Sequence, residues 1–318
     1  MERYQKKALA KNRNGLTSFR SNWQLYIMAL PAIALLFMFN YMPMFGTIIA
    51  FKKYKVLKGI LGSDWANPWY RNFKLMFRAN GGAVVAIKNT LILNLMFIAI
   101  GTIVSLALAL MLNELRSRFF KKITQSFIFL PYFISAVVMG LFANALLSIE
   151  KGTINNIRTF FGFARIDFYS NAKMWPGILL AFHIWKNGGY GAVVYIATIG
   201  GIDSSYYEAA RIDGATRWQE TRYISLPLLR PTVIVLTLLS IGRIMNSDFG
   251  FFYMLVGDNP LLYPTADVID TFIFRALRNT GDMGVSSATG LFQSTVSFIL
   301  VLTSNMLARK IDKDAALF

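Results

Sequence analysis

The sequence predicts an all-α integral membrane protein, and three observations support this fold class. Of 318 residues, 55% are hydrophobic and 15% are charged, with a mean hydropathy of +0.46. A soluble domain is nearer half apolar and a quarter charged, so a water-soluble protein is disfavoured. The apolar residues also form blocks as long as a membrane span. In such a chain the net charge of +17 indicates basic loops beside anionic membrane lipid, and we expect no nucleic-acid partner.

Six blocks are interpreted as transmembrane helices, because a bilayer core of about 30 Å needs roughly 20 apolar residues in a helix. They are residues 21–51, 89–113, 123–149, 174–202, 231–256 and 283–308. The fourth block contains Lys186, and the fifth contains Arg243 and Asp248. The sequence therefore predicts one six-helix membrane domain over residues 23–311, between a basic tail at 1–22 and a short tail at 312–318.

Basic residues set the predicted orientation in a bacterial cytoplasmic membrane. They cluster in the N-terminal tail, in the second loop and just after the last span, at Arg3, Lys6, Lys7, Lys11, Arg13, Arg20, Arg116, Arg118, Lys121, Lys122, Arg309 and Lys310. The positive-inside rule then places both termini and the fourth loop in the cytoplasm. Four lysines at positions 52, 53, 55 and 58 oppose this orientation, because it places their loop outside.

The absence of several sequence motifs excludes common kinds of catalytic and nucleotide-binding site. The chain has no P-loop, no H-E-x-x-H, no G-x-S-x-G and no cysteine, and its one histidine is His183. We therefore expect no ATP site of the P-loop type, no metal site and no catalytic residue in this chain.

The fourth loop, within 203–227, has the pattern of two short helices. Ser205 with Glu208 and Thr216 with Gln219 have the spacing of capping boxes. Gly214 suits a left-handed helix end, and Pro227 suits a first helical turn. Two alanines at 209 and 210 leave a slim surface for a partner. From the residues alone, an amphipathic loop helix resting on lipid headgroups remains equally open.

The spacing in this loop is E-A-A-x₃-G-x₉-I-x-L-P, which resembles the membrane subunits of binding-protein-dependent ABC importers. The resemblance implies the type I importer transmembrane fold, with the loop as a coupling helix that docks on a cytoplasmic ATPase. The implied coupling residues are Glu208, Ala209, Ala210, Asp213, Gly214, Ala215, Leu226 and Pro227. It also implies a heterodimer with a second permease, two ATPase domains that hold ATP and Mg, and an extracellular or periplasmic sugar-binding protein.

A second segment is similar to the polysaccharide-type permeases of carbohydrate importers. It runs from Asn259-Pro260 to Arg275 and implies an oligosaccharide cargo. We expect residues 266–279 to form a short external helix that contacts the binding protein through Asp267 and Asp270 on one edge and Arg275 and Arg278 on another. A merely solvated surface helix is the alternative, and the loop at 152–173 is the rival contact.

The sugar path is predicted to lie on the fifth and sixth spans. Sugars offer hydroxyl groups to polar side chains and apolar C–H faces to aromatic rings. The predicted path residues are Arg243, Asn246, Ser247, Phe249, Phe252, Tyr253, Thr289, Gln293 and Ser297. For Ser and Thr, interhelical packing is the alternative role. Arg243 faces either a structural contact or a watery cavity, because a charge inside a membrane is costly.

Two alternatives to an oligosaccharide importer remain open at this stage. The same architecture serves other cargoes, such as glycerol phosphate or a peptide. An ATP-independent secondary carrier would show inverted repeats and more intramembrane charges, and it would leave the fourth-loop motif unexplained.

Overall fold

The computed structural model describes residues 23–78, 82–115 and 117–311. The predicted tails at 1–22 and 312–318, and Arg116 of the predicted second loop, lie outside the described residues. Across the described ranges the chain is mainly helical and has no strand, and an isolated antiparallel bridge joins Lys52 to Trp65. The prediction of an all-α protein is confirmed.

The main helices, labelled in chain order, are α1 (Trp23–Leu36), α2 (Arg71–Met76), α3 (Ala83–Asn113), α4 (Arg118–Phe129), α5 (Ala136–Leu147), α6 (Thr153–Phe160), α7 (Trp175–Gly200), α8 (Ser204–Ile212), α9 (Arg217–Glu220), α10 (Leu226–Gly242), α11 (Phe249–Val256), α12 (Ile269–Arg278) and α13 (Met283–Ile311). Segments of π-helix follow α1 and α9, at Phe37–Tyr41 and Thr221–Ser225. Short helical segments occupy Met42–Met44, Phe45–Phe51, Val56–Lys58, Gly59–Gly62, Leu130–Phe133, Phe168–Ser170, Ala172–Met174, Pro260–Leu262 and Tyr263–Ala266.

Four helical stretches of the described chain are long and apolar enough to cross a membrane. They are Trp23–Phe51, Ala83–Asn113, Arg217–Gly242 and Met283–Leu307, and they match the first, second, fifth and sixth predicted spans. Helix α7 is also long, at 26 residues, but His183, Lys186 and Asn187 interrupt its apolar sequence. The predicted count of six spans is therefore confirmed in part.

The third predicted span is a bent pair of helices. Helix α4 with its 3₁₀ extension meets α5 at an angle of 99°. Pro131 lies in the first turn of that extension, and the Ser135 side chain accepts a hydrogen bond from the Val138 N–H to start α5. Proline cannot donate a backbone hydrogen bond, so the helix breaks here. This corrects the prediction of one continuous span over 123–149.

The fifth predicted span begins earlier and ends earlier than expected. It runs from Arg217 through the π-helical segment to Gly242, whereas the sequence prediction was 231–256. The backbone leaves the helix at Arg243 (φ −105°, ψ 9°), and Asp248 starts a separate helix, α11, by accepting a hydrogen bond from the Phe251 N–H. The apolar residues of 231–256 look like one span, but the cap formed by Asp248 divides them between two helices.

The core is built on the pair α3 and α7. The ring of Phe97 stacks on that of His183, with centroids 4.1 Å apart, and α11 covers this pair with Phe251 and Phe252. On the other side, an added Cβ at Gly189 would lie 2.1 Å from the carbonyl oxygen of Ile128. Only glycine therefore allows α4 to approach α7 this closely. The helix pair forms a fixed wall against which the fifth span lies.

Candidate functional site

The fourth loop begins with a cap that differs from the predicted one. Asp203 starts α8, and its carboxylate accepts a hydrogen bond from the Ser205 N–H at 2.9 Å. This backbone hydrogen bond lowers the pKa of Asp203. The predicted capping box of Ser205 and Glu208 is thus wrong, because Asp203 already receives the first free N–H group. Glu208 lies exposed on α8 and has no hydrogen-bond or ion-pair partner among the described residues.

The turn between α8 and α9 follows the sequence prediction. Gly214 has φ +81°, a conformation that costs a side-chain-bearing residue strain. The capping box of Thr216 and Gln219 is formed: the Gln219 side-chain oxygen accepts from the Thr216 N–H at 2.7 Å. The two short helices α8 and α9 are therefore joined by one tight turn in the loop that follows α7.

A buried carboxylate fastens α8 to the start of the fifth span. The Arg211 guanidinium binds Glu220 through two nitrogens, at 2.8 and 3.1 Å, and only 7% of the Glu220 side chain is exposed. The Tyr207 hydroxyl lies 2.9 Å from the Ser225 hydroxyl. Sequence reasoning missed the pair of Arg211 and Glu220, because nothing in the local spacing shows that the turn brings them together.

The outer face of the loop combines charge with exposed apolar side chains. Of the predicted coupling residues, Glu208, Ala209, Asp213, Gly214 and Pro227 are exposed, whereas Ala210, Ala215 and Leu226 are half-buried. Large apolar side chains lie exposed on the same loop, at Tyr206, Ile212, Trp218 and Tyr223. A patch of this kind is typical of a surface that binds another protein.

A cavity of about 630 Å³ lies against the middle of α3 and α7 and the far end of α10. This volume is typical of sites for small molecules. Its lining is mixed: apolar side chains alternate with polar ones, namely Asn94, Thr102, Ser105, His183, Asn187, Tyr190, Tyr195, Ser240, Arg243 and Asn246. The lining residues of α3 and α7 come from the central turns of both helices, so the cavity lies midway along this helix pair.

The chain turns at the cavity rather than continuing as a helix. Arg243 and Asn246 line the cavity, whereas Ser247 accepts a hydrogen bond from the Asn94 amide at 3.0 Å. That amide also donates to the Ile244 carbonyl at 2.8 Å. Arg243, Asn246 and Ser247 therefore do not share one helical face, since the helix ends at Gly242.

Most of the other predicted path residues do not reach this cavity. Thr289 is buried and donates to the Val285 carbonyl at 2.8 Å, and Gln293 is buried and donates to the Met245 carbonyl at 2.8 Å. The side-chain oxygen of Ser297 is buried without a partner among the described residues. The aromatic residues pack elsewhere as well: Phe252 in the core, and Phe249 against Tyr253. None of these six residues is in the lining of the cavity, and their role in the sugar path stays a prediction.

The residues that do line the cavity include three that sequence reasoning missed. Asn94 and Asn187 are amides inside predicted spans, and Tyr190 follows on α7. A polar residue inside a membrane span often lies at a functional site. That signal alone would have identified Asn94 and Asn187.

The segment at 266–279 is held internally, contrary to the predicted pair of exposed edges. Asp267 is 3% exposed and binds Arg275, with one contact at 2.8 Å, and the guanidinium lies 3.8 Å from the centre of the Tyr263 ring. Asp270 accepts hydrogen bonds from the Ser247 N–H and the Gln293 amide. Of the four predicted contact residues, only Arg278 is exposed.

Comparison with known proteins gives consistent results. The family model described as "Binding-protein-dependent transport system inner membrane component" matches residues 101–313. The polygalacturonan/rhamnogalacturonan transport system permease protein YteP of Bacillus subtilis is 35% identical over 91% of this chain and 89% of its own. Protein LplB of the same organism is 33% identical over 93% and 91%.

A solved structure has the same fold. The crystal structure of a bacterial alginate ABC transporter, in complex with an alginate pentasaccharide-bound periplasmic protein, contains a chain that superposes with a TM-score of 0.83. That chain is 34% identical to this one, and the match covers 93% of this chain and 97% of the other.

Proposed function

Since the chain belongs to the family of binding-protein-dependent transport system inner membrane components, we propose that it is a permease subunit of an ATP-driven importer of oligosaccharides. It is a multi-pass inner-membrane protein. The observation that carries the proposal is the pairing of a mid-depth cavity with an exposed, firmly anchored helix, α8, at one end of the same spans. The cavity would form part of the translocation path. A partner bound to α8 could change the conformation of the spans that line it.

Helix α8 would bind a cytoplasmic ATPase. The exposed Glu208 side chain forms no hydrogen bond or ion pair with the described chain, so its carboxylate can pair with a basic group in a cleft. Exposed Ile212 and Trp218 add apolar contact area beside it. The ATPase subunits would hold ATP and Mg, and this chain would bind no cofactor.

A second, related permease would complete the path. None of the 14 residues of α1 is buried against the described part of this chain, so lipid or another subunit must cover the helix. The described cavity is bounded by α3, α7 and α10, and a heterodimer would supply the facing wall.

At the opposite end a sugar-binding protein would deliver the cargo, with both termini of this chain in the cytoplasm. Polar and aromatic side chains around the cavity suit a sugar, because hydroxyl groups need hydrogen-bond partners and C–H faces pack on rings. The names of the similar proteins, a polygalacturonan/rhamnogalacturonan permease and an alginate transporter, support an oligosaccharide cargo.

The test is reconstitution of the complete importer, with its binding protein, in proteoliposomes. We expect an oligosaccharide to accumulate on the side of the membrane that holds the ATPase. This accumulation should require ATP on that side and the binding protein on the opposite side. Uptake that proceeds without ATP, or a chain that purifies without an ATPase, would instead support a secondary carrier.

A further inference from the structure

The cavity contains one formally charged side chain, that of Arg243. The other polar groups along its described lining are amides, hydroxyls and the His183 ring. Arg243 is exposed to the cavity, and no hydrogen-bond or ion-pair partner of its side chain is found among the described residues. A cation therefore faces the cavity with no counter-charge from the described part of its own chain.

The nearby carboxylates are already engaged elsewhere. Asp248 caps α11 and lies 3.9 Å from the Lys186 ammonium. Asp270 accepts from the Ser247 N–H at 2.9 Å and from the Gln293 amide. Neither acid forms an ion pair with Arg243, although Asp248 follows it closely in sequence and Asp270 contacts the same turn through the Ser247 N–H.

An unpaired guanidinium at this depth is costly unless it faces water and binds an anion. Arginine is also the residue best suited to bind a planar carboxylate, because its fork donates two parallel hydrogen bonds. A neutral sugar can be held by hydroxyl and amide partners alone, and it offers no anion to pair with the guanidinium.

We propose that the cargo carries carboxylate groups, as an oligosaccharide of uronic acids does, and that Arg243 binds such a carboxylate as the cargo crosses the cavity. This inference rests on the proposed function. Asn187 and Asn246 lie on the same cavity and are placed to hold the sugar hydroxyls around that carboxylate. The binding is by charge-assisted hydrogen bonds, and no covalent step is involved.

The experiment compares three cargoes in the reconstituted importer. The first cargo is an acidic trimer, either a saturated oligogalacturonate or an alginate trimer. The second is the same trimer with every carboxylate methyl-esterified, and the third is a neutral malto-oligosaccharide. Uptake is measured for the wild type, Arg243→Gln, Arg243→Lys and a control, Arg230→Gln, which removes an exposed arginine of α10 that does not line the cavity. Assembled complex is quantified for every variant.

We expect the wild type to prefer the acidic trimer, and Arg243→Gln to lower kcat/KM for it by about 10- to 100-fold, the range of charge-assisted hydrogen bonds. The ester should change by less than about twofold, and Arg243→Lys should lie between. The Arg230→Gln control should match the wild type for every cargo.

Three results would overturn the inference. Equal losses for acid and ester would show that Arg243 holds the path together, for example by pairing with an acid of the second permease. Wild-type uptake of the neutral oligosaccharide alone would refute an acidic cargo while the proposed function stands. Uptake of none of these sugars would refute both the proposed function and the inference that depends on it.

Discussion

Glu208 is the residue at which coupling is most directly tested. Its side chain is exposed on α8 and forms no hydrogen bond or ion pair with the described chain, so its removal should not disturb folding. We expect Glu208→Ala to lower transport by about tenfold or more, the loss typical of one partner in a buried interface ion pair. The amount of assembled complex and its basal ATP hydrolysis should stay near wild type. Measurement requires uptake and ATPase activity on the same preparations.

The matched control for this change is Glu150→Ala, which removes an exposed glutamate from a loop before α6. It should transport at the wild-type rate. Normal uptake by Glu208→Ala would show that α8 docks without this carboxylate.

Asp270 tests whether the segment before the last span is held by neutral or by charged hydrogen bonds. Burial raises the pKa of Asp270, although hydrogen bonds from Ser247 and Gln293 act in the opposite direction. Its charge therefore opposes folding: the contribution of Asp270 to stability is fully present below the unfolded pKa and is lost as pH rises through the folded pKa. We expect Asp270→Asn to gain stability relative to the wild type as pH rises from about 4 to about 7.

Thermal unfolding of the purified complex across this pH range measures the effect. Asp270→Ala should be less stable than Asp270→Asn at every pH, because it leaves the Ser247 N–H and the Gln293 amide without an acceptor. A difference between wild type and Asp270→Asn that does not vary with pH would contradict the assignment.

At the scale of elements, α8 and the start of the fifth span should move as one body. The two are joined by the ion pair of Arg211 with Glu220, whose acid is buried and whose guanidinium is half-exposed. We expect Glu220→Ala to cost about 1–3 kcal/mol of stability, less than a fully buried pair because solvent screens the exposed arginine. It should also weaken the coupling of ATP hydrolysis to transport, since α8 would no longer be fixed to the span.

The exposed ion pair of Glu114 with Arg217 provides the comparison. Glu114→Ala should cost no more than about 1 kcal/mol. The exchange of Arg211→Glu with Glu220→Arg should restore part of the coupling lost in Glu220→Ala. If Glu220→Ala lowers stability and leaves coupling intact, the pair only supports the local fold.

For the molecule as a whole, the surface that contacts the binding protein can be mapped by cross-linking. The chain has no cysteine, so each introduced cysteine is a unique attachment point. Arg278 is the exposed member of the predicted contact set, and the loop at 152–173 is the rival surface, with Phe160 strongly exposed. We expect Arg278→Cys to trap the binding protein in the assembled importer. Asp267→Cys should not, because that side chain is buried beside Arg275.

Trapping from Phe160→Cys without trapping from Arg278→Cys would assign the contact to the other loop. Trapping from both would show that the binding protein spans the two segments. Either result is read by the mobility shift of the covalent product.

The features that depend on local signals were predictable from the sequence. Apolar block length identified the first, second and last spans, and motif spacing identified the fourth loop as a membrane-subunit signature. The left-handed Gly214 and the capping box of Thr216 with Gln219 were also predictable. Each of these is specified by residues within one or two helical turns of each other, so no knowledge of packing is needed.

Which polar groups meet depends on long-range packing and could not be predicted from the sequence. Asn94 and Ser247 are 153 residues apart yet share a hydrogen bond, and this contact fixes the turn after Gly242 that places Arg243 on the cavity. The same limit hid the internal pairing of Asp267 with Arg275 and the bend between α4 and α5. Apolar content says that a segment leaves water, but hydrogen bonding across the fold decides where a helix stops and which side chains face the path.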